Sequence, residues 1–561
     1  MGNHLSRRPG RISDDACGEG VATVLIGCRC NPSLICHRKA SRHGSVPVRH
    51  WNQETAPGAA RIDPSGAGGR RKPTRGRSRG KAGDPFGDLP EELLPMILSK
   101  LDMKEAAMTS VLSSAWKHAW KLSPRLTLDI FAMFSTGTQR CVQRFMDVVD
   151  ATLHQRLRDG AVVQQLELRL DAYGFAQVLH RLDDWVRFAV LLQAKGVILH
   201  VPPLMMPLQA VCYEMHVFPY TFPLQLLDAG GGTSSLQHVQ LSSVSLKVPS
   251  PHTQSLGFPN LRKLGLCSAW LPTNDLNIVL SNCSSLEWLD LCMVYLMDGF
   301  KVDRPLARLK YLRLADCRVT KIEMINASKL ISFILEESLE CQLPTPTSIL
   351  HIDLGGPEFL MPASQLHSVH IHCHMFTLEH ALGALPRAFP TVKRLSLHTH
   401  ILPKFPWRPV NTSGFSRLRS LQLFFTITDQ HAGNILSIAC ILEAAPFLEE
   451  LDAEFISFHY EFAGQGNISE DPLSSFPHGQ CKYKCLKAMT VHNFMGTNGQ
   501  IELMEHIVEN APALEVLTVD PRRRHVPGIG QINETLLSAT RRIATISIRG
   551  KLSARTKLIV L

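Results

Sequence analysis

No run of about 18 apolar residues, the length a membrane-crossing helix needs, occurs in this chain of 561 residues. A membrane span is therefore not expected. The short apolar run Val21–Ile26 follows Asp14, Asp15 and Glu19 instead of a basic segment, so a secretory leader is not expected either. Catalytic signatures are equally missing. Gly230-Gly231-Gly232 has no Gly-Lys-Ser/Thr behind it and reads as a flexible turn, and neither Gly-x-Ser-x-Gly nor His-Glu-x-x-His occurs. The 15 cysteines follow no framework spacing, which points to reduced thiols and to cytosol or nucleus. Cys28, Cys30, Cys36 and His37 lack a second half at matching spacing, so no zinc site is expected there.

What remains is a composition of 45% hydrophobic and 19% charged residues, that of a globular chain long enough for several domains. The net charge of +10 is unevenly placed. Residues 1–83 hold 16 Lys/Arg against 5 Asp/Glu, which leaves 43 against 44 for the rest. The surplus belongs to a Gly-, Pro-, Ser- and Arg-rich tail expected to be disordered, because it cannot bury enough to offset its chain entropy. Nucleic-acid binding is thus not expected of the folded part. Arg70–Lys81 within the tail reads as a nuclear import signal, an RNA-binding arm or a solvated linker.

Between 84 and 130 the pattern is helical. Asp88 with Glu91, and Asp102 with Glu105, form two capping boxes in tandem, so two short helices start in quick succession. Leu93, Leu94, Ile97, Leu98 and Leu101 make an apolar stripe on the first. Ala106, Ala107, Thr109, Ser110 and Val111 keep the second thin, and Trp116 and Trp120 form a third ridge. So small a unit cannot cover these side chains by itself, and a partner must do so. The segment resembles the F-box from Asp88 to about Leu128. The resemblance implies that Leu89, Pro90, Ile97, Leu98, Leu101, Val111, Leu112 and Trp116 bind the Skp-type adaptor of a cullin ubiquitin ligase. Met103 replaces a common Pro, and Ser113-Ser114-Ala115 replaces a usual basic residue before Trp116.

From 131 to 480 one motif recurs: Leu261-x-x-Leu264-x-Leu266, then the same spacing from Leu286, Leu309 and Leu418. Four strict matches exceed the about one or two that chance allows, and three of them are spaced by 25 and 23. Looser starts fall at Val163, Leu236, Leu330, Ile349, Leu366, Val392, Leu448, Leu486, Leu514 and Ile543. This is the leucine-rich repeat, an α/β solenoid of parallel strands whose units bury their leucines only by stacking. Cys317 takes the place where such repeats put Asn or Cys to satisfy the turn. Residues 481–561, with strands Leu486–Val491 and Leu514–Val519 around a helix Gln500–Asn510, resemble the FBD domain and would cap the open end. The order of modules resembles that of plant F-box/FBD/leucine-rich-repeat proteins.

That resemblance implies a non-catalytic substrate-recognition subunit of an SCF-type (Skp-cullin-F-box) ligase, in nucleus or cytoplasm, without cofactor. Its partners would be the adaptor, through it a cullin, and an unknown target. A ligase-independent scaffold and a small-molecule receptor using the solenoid pocket are the alternatives. In the repeat register Lys263, Trp288, Asp290, Tyr311 and Arg313 face outward together, and this patch is expected to contact the target. His370, His372 and His398 would also face outward on neighbouring strands about 5 Å apart. With no carboxylate or thiolate in view behind them, they read as part of a polar face and not as metal ligands.

Overall fold

A computed structural model of the chain describes residues 93–98, 101, 103–112, 116, 123–134, 139–160, 162–170, 175–201, 220–227, 235–246, 248, 258–294, 296, 299–317, 319, 321–324, 327–337, 351–353, 365–400, 414–427, 438–457, 483–522 and 534–561. The basic tail, Asp88, Leu89, Pro90, Glu91, Asp102, Trp120 and Gly230–Gly232 lie outside them.

The helical segment begins with Leu93–Leu98, where Pro95 falls in the first turn and needs no N–H partner. A second helix, Met103–Met108, tightens into a 3-10 turn at Thr109–Val111. There the Thr109 hydroxyl donates back to the Ala106 carbonyl at 2.6 Å. Leu98, Ala106 and Trp116 form a small core of their own, with Leu94 and Leu101 against it. Ala106 is what lets the Trp116 ring come close.

Twenty strands follow among the described residues: β1 Arg125–Asp129, β2 Gln165–Arg169, β3 Gly196–His200, β4 Thr221–Phe222, β5 His238–Ser242, β6 Ser245–Leu246, β7 Lys263–Cys267, β8 Trp288–Cys292, β9 Phe300–Val302, β10 Tyr311–Ala315, β11 Lys321–Met324, β12 Ser332–Glu336, β13 His351–Asp353, β14 Ser368–Thr377, β15 Arg394–His400, β16 Ser420–Ile427, β17 Glu450–Ser457, β18 Ala488–His492, β19 Val516–Asp520 and β20 Lys557–Val560. Fifteen of them make one sheet in the order β1-β2-β3-β5-β7-β8-β10-β12-β14-β15-β16-β17-β18-β19-β20. All are parallel, so each must return to the same edge through a crossover. Helices serve as crossovers at Gln139–Arg158, Phe175–Leu191, Thr273–Ser281, Leu378–Ala388, Asn498–Asn510 and Glu534–Arg549. In the middle, β9, β11 and β13 build a second, three-stranded sheet instead.

The core lies between the long sheet and these returns. Leu289, Leu291, Leu312 and Leu314 are each 0% exposed, and register places each on its counterpart in the next strand. Toward β16 and β17 the layer thickens with Phe425 and Phe455, whose rings stack at 5.9 Å. Five turns out of the sheet repeat one backbone device. Ser243, Ser268, Met293, Asp316 and Asn493 directly follow their strands with φ of 53, 49, 50, 52 and 53°. That left-handed corner swings the chain backward, and the N–H of Ser268 or Met293 still donates to the next strand's last carbonyl, at 2.8 and 2.7 Å. Cys317 does what its position implied, its thiol reaching the Leu291 and Ala315 carbonyls at 3.3 and 3.2 Å.

Strands of the long sheet begin two residues after the starts at Val163, Leu236, Leu261, Leu286, Leu309, Leu330, Leu366, Val392, Leu418, Leu448, Leu486 and Leu514. Two starts need correction. Ile349 leads into β13 of the smaller sheet, and Ile543 lies in the helix Glu534–Arg549. Three strands of the long sheet, β1, β3 and β20, have Ser123, Ala194 and Arg555 at the first motif position, which hid them from a search for large apolar residues. β1 joins the sheet inside the 84–130 segment, and the 481–561 units continue the same sheet.

Leu289→Ala should lower the unfolding free energy by about 2–5 kcal/mol, since no neighbour can collapse into the gap. Ile331→Ala, at a residue 42% exposed, should change it by about 0.5 kcal/mol or less. Denaturant titration of both variants checks this.

Candidate protein-interaction surfaces

Two surfaces stand out. On the helical segment, Leu93 is 37%, Met96 60%, Ile97 37%, Met108 65%, Val111 86% and Leu112 44% exposed. Ile97, Val111 and Leu112 are thus open, as expected of residues awaiting a partner. Leu98 and Trp116 are not: at 0% and 3% exposed they hold the unit together from inside, with Leu101 half-buried beside them. Expected as adaptor contacts, they lie inside this unit in the chain alone.

The second surface is the outward face of the long sheet. Lys263, Trp288 and Tyr311 occupy one row, the first residues of β7, β8 and β10. Lys263 is exposed, and the Trp288 and Tyr311 rings stack at 5.2 Å and 9°. Trp288 is half-buried on the outer face, as the repeat register required. Asp290 and Arg313, in the next row, are 8% and 6% exposed and do not stand free for a target. Arg313 donates to Asp290 at 3.1 Å and to Glu336 at 2.8 Å. Burial pushes the Asp290 carboxyl up, against the pull of Arg313. Burial also opposes ionisation of Glu336, but the His370 and Arg313 contacts outweigh it and bring its pKa to about 2.

Glu336 lies 3.4 Å from His370, so a carboxylate does stand behind the histidines, supplied by β12. The His370 and His372 rings stack at 3.7 Å, and His372 faces His398 across the β14–β15 pair. From there the polar row runs on: His372 to Ser396 at 3.2 Å, Ser396 to Gln422 at 3.2 Å, Gln422 to Asp452 at 3.4 Å and Asp452 to His492 at 3.0 Å. Asp520, wholly buried, takes Arg522 at 2.8 Å. Among the described residues no group of three or more His, Cys, Asp or Glu is placed to hold a metal.

A similar cluster opens the sheet. Glu167 meets Arg169 at 2.7 Å and His200 at 3.4 Å. Burial raises the Glu167 pKa, but the His200 and Arg169 contacts prevail and hold it at about 2. Burial, with Lys263 nearby, lowers His238 to about 4. Glu167, Glu336, Glu454, His492 and Asp520 were not singled out from sequence. Their signal was the repeat register itself: the residues four and six after each start face outward, and reading them for every unit finds all five.

An exposed apolar helical unit joined to a parallel-strand solenoid with a polar face defines a protein-interaction adaptor. Comparison with known families agrees. The family described as At1g61320/AtMIF1, LRR domain, matches residues 156–556, and the F-box domain matches residues 86–128. The F-box/FBD/LRR-repeat protein At5g53840 of Arabidopsis thaliana is 21% identical over 84% of this chain and 97% of its own length. The putative FBD-associated F-box protein At5g50270 is 25% identical over 78% and 97%, and the F-box protein At3g59000 23% over 80% and 89%, both from the same plant. The chain belongs to the plant F-box/FBD/LRR-repeat family, as an adaptor of the F-box class. Among the described residues no helix is long and apolar enough to cross a membrane.

The Glu336 carboxyl sits below its ordinary 4.5, at about 2, so its contribution is full above the unfolded value and lost as pH falls through the folded one. The thermal midpoint should therefore drop as pH falls across that window, and in Glu336→Gln this drop should be smaller while the midpoint near neutrality is already lower. Thermal melts of both proteins across that range measure it.

Proposed function

We propose that this chain is the substrate-recognition subunit of an SCF-type E3 ubiquitin ligase, bound to a Skp-type adaptor and, through it, to a cullin. One observation carries the reading: the helical unit leaves Met96, Met108, Val111 and Leu112 exposed beside a core that, among the described residues, consists of Leu98, Ala106 and Trp116. Large apolar side chains exposed on so small a unit mark an interaction site. In this reading Ile97, Val111 and Leu112 touch the adaptor, together with Leu89 and Pro90. Leu98, Leu101 and Trp116 fix the helices that present them. The F-box and repeat names carried by the relatives support the same division of labour.

The chain itself performs no chemistry here. Its contribution is proximity: one end is fixed to the ligase while the sheet face holds a target near the charged conjugating enzyme, turning a bimolecular transfer into an effectively unimolecular one. Lys263, Trp288 and Tyr311 form the target-facing part, and Asp290 and Arg313 brace it from below. Nucleus and cytoplasm are the compartments in which it would act.

Replacing Val111 or Ile97 with Asp should weaken adaptor binding by about 2–4 kcal/mol, the usual cost of a lost interface anchor, with the thermal midpoint unchanged. Trp116→Ala should weaken it too, but together with loss of helical order in the unit. Calorimetry against the purified adaptor measures each. Adaptor binding by a chain that starts at residue 131 would overturn the reading.

A further inference from the structure

The outward face of the sheet is electrically polarised along its strands. At the end where strands begin, from β3 to β16, Lys195, Arg262, Lys263, Lys393 and Arg394 are exposed and form no ion pair among the described residues. Lys310 and Arg419 lie on the same rim, tied to Glu287 and Glu449 at 2.8 and 2.9 Å. Glu287 is the only carboxylate at these rim positions between β3 and β16. At the opposite end, Asp316, Glu336 and Glu337 stand where no Lys or Arg ends any of these strands. Leading to that end, Asp290, Arg313 and Glu336 are paired with each other, and His370 lies against Glu336. The rim is where the face can attract a partner.

The cations come in two groups, Arg262 with Lys263 on β7 and Lys393 with Arg394 on β15. Five strand spacings separate them in the sheet order, about 24 Å at the usual 4.8 Å. The rim of β12 and β14 between them carries Ile331, Ser332, His367 and Ser368. Beside the first group lies the Trp288–Tyr311 stack. Its Trp288 ring lies over Gly265, where a side chain would come within 3.2 Å of Gln240 Cγ and 3.6 Å of the ring, so the missing Cβ lets the ring lie down against the sheet.

We propose that the partner held on this face is a polypeptide segment lying across the strands, with two acidic clusters about seven residues apart and an apolar side chain next to the first. The acidic clusters meet the two cation pairs, and the apolar side chain rests on the Trp288–Tyr311 stack. This rests on the reading of the sheet face as the target-holding surface. A phosphate backbone fits less well, because it needs an unbroken cation track, and the rim between the two cation pairs carries Glu287, Ile331, Ser332 and Ser368.

The test is selection of a random-peptide phage library on the full chain bound to its adaptor, followed by fluorescence polarisation of the enriched peptides. Arg262→Glu/Lys263→Glu, Lys393→Glu/Arg394→Glu and Trp288→Ala are compared with Lys321→Glu, a single charge reversal on the smaller sheet. Enriched peptides should be acidic at the stated spacing. Either double reversal should weaken them about tenfold or more at low salt, with a flatter salt dependence, while Lys321→Glu leaves them unchanged. Neutral or basic peptides that still require Trp288 would overturn the acidic class and leave the target-face reading standing. Peptides indifferent to all three face variants would overturn that reading too. Equal binding of oligo(dT), lost in the same reversals, would replace the polypeptide with nucleic acid.

Discussion

A strand of this sheet cannot keep its own leucines dry. Each repeat turns two or three of them inward, and only the next repeat, paired in register, covers the side left open. Fifteen strands in one sheet follow from that dependence, and so does the need to close the ends. At the far end the helix Glu534–Arg549 and β20 supply the closure, with Ala544 and Ile548 wholly buried under it. At the near end β1 receives the helix Gln139–Arg158, whose Phe145, Val149 and Leu153 are also 0% exposed. The left-handed corner after the strands is the local condition for this stacking: it turns the chain without breaking the ladder of hydrogen bonds.

Because the inward rows are committed to packing, everything specific to this chain is written on the outward rows. There the sheet holds neighbouring side chains one strand spacing apart, close enough for acids, bases and histidines to bond from repeat to repeat. The Asp290–Arg313–Glu336–His370 run and the Asp452–His492 and Asp520–Arg522 pairs are the result. Desolvating such charges is costly, and removing one partner of a buried set costs more than the set contributes. The network therefore reads as a brace that fixes the face in one arrangement. It leaves the rim cations and the Trp288–Tyr311 stack as the parts open to a partner.

Much of this was legible in the sequence, and the reasons for the rest are physical. The strict leucine motif located β7, β8, β10 and β16, and its looser form found eight more strands of the long sheet, because burial on one side leaves a period that chance does not imitate. β1, β3 and β20 escaped because a small or polar residue can occupy the first position where packing is less demanding. Ile543 misled because the apolar pair Ile543 and Ile546, three apart, satisfies a helix as well as the repeat motif. The outward position of Trp288 followed from alternation alone. The burial of Arg313 did not, since it depends on Asp290 and Glu336 from adjacent strands, a relation that needs the register between units. Likewise, helical spacing identified the apolar residues at 93–116 but could not say that Leu98 and Trp116 turn inward while Val111 turns out.

In the proposed function two jobs fall on two surfaces, the helical unit meeting the ligase and the sheet face left to the target. Hydrogen–deuterium exchange of the full chain, with and without a purified Skp-type adaptor, tests that separation directly. The adaptor should slow exchange across residues 93–116 and leave the strands β7–β16 unchanged. Protection appearing on those strands, or no protection at 93–116, would contradict it.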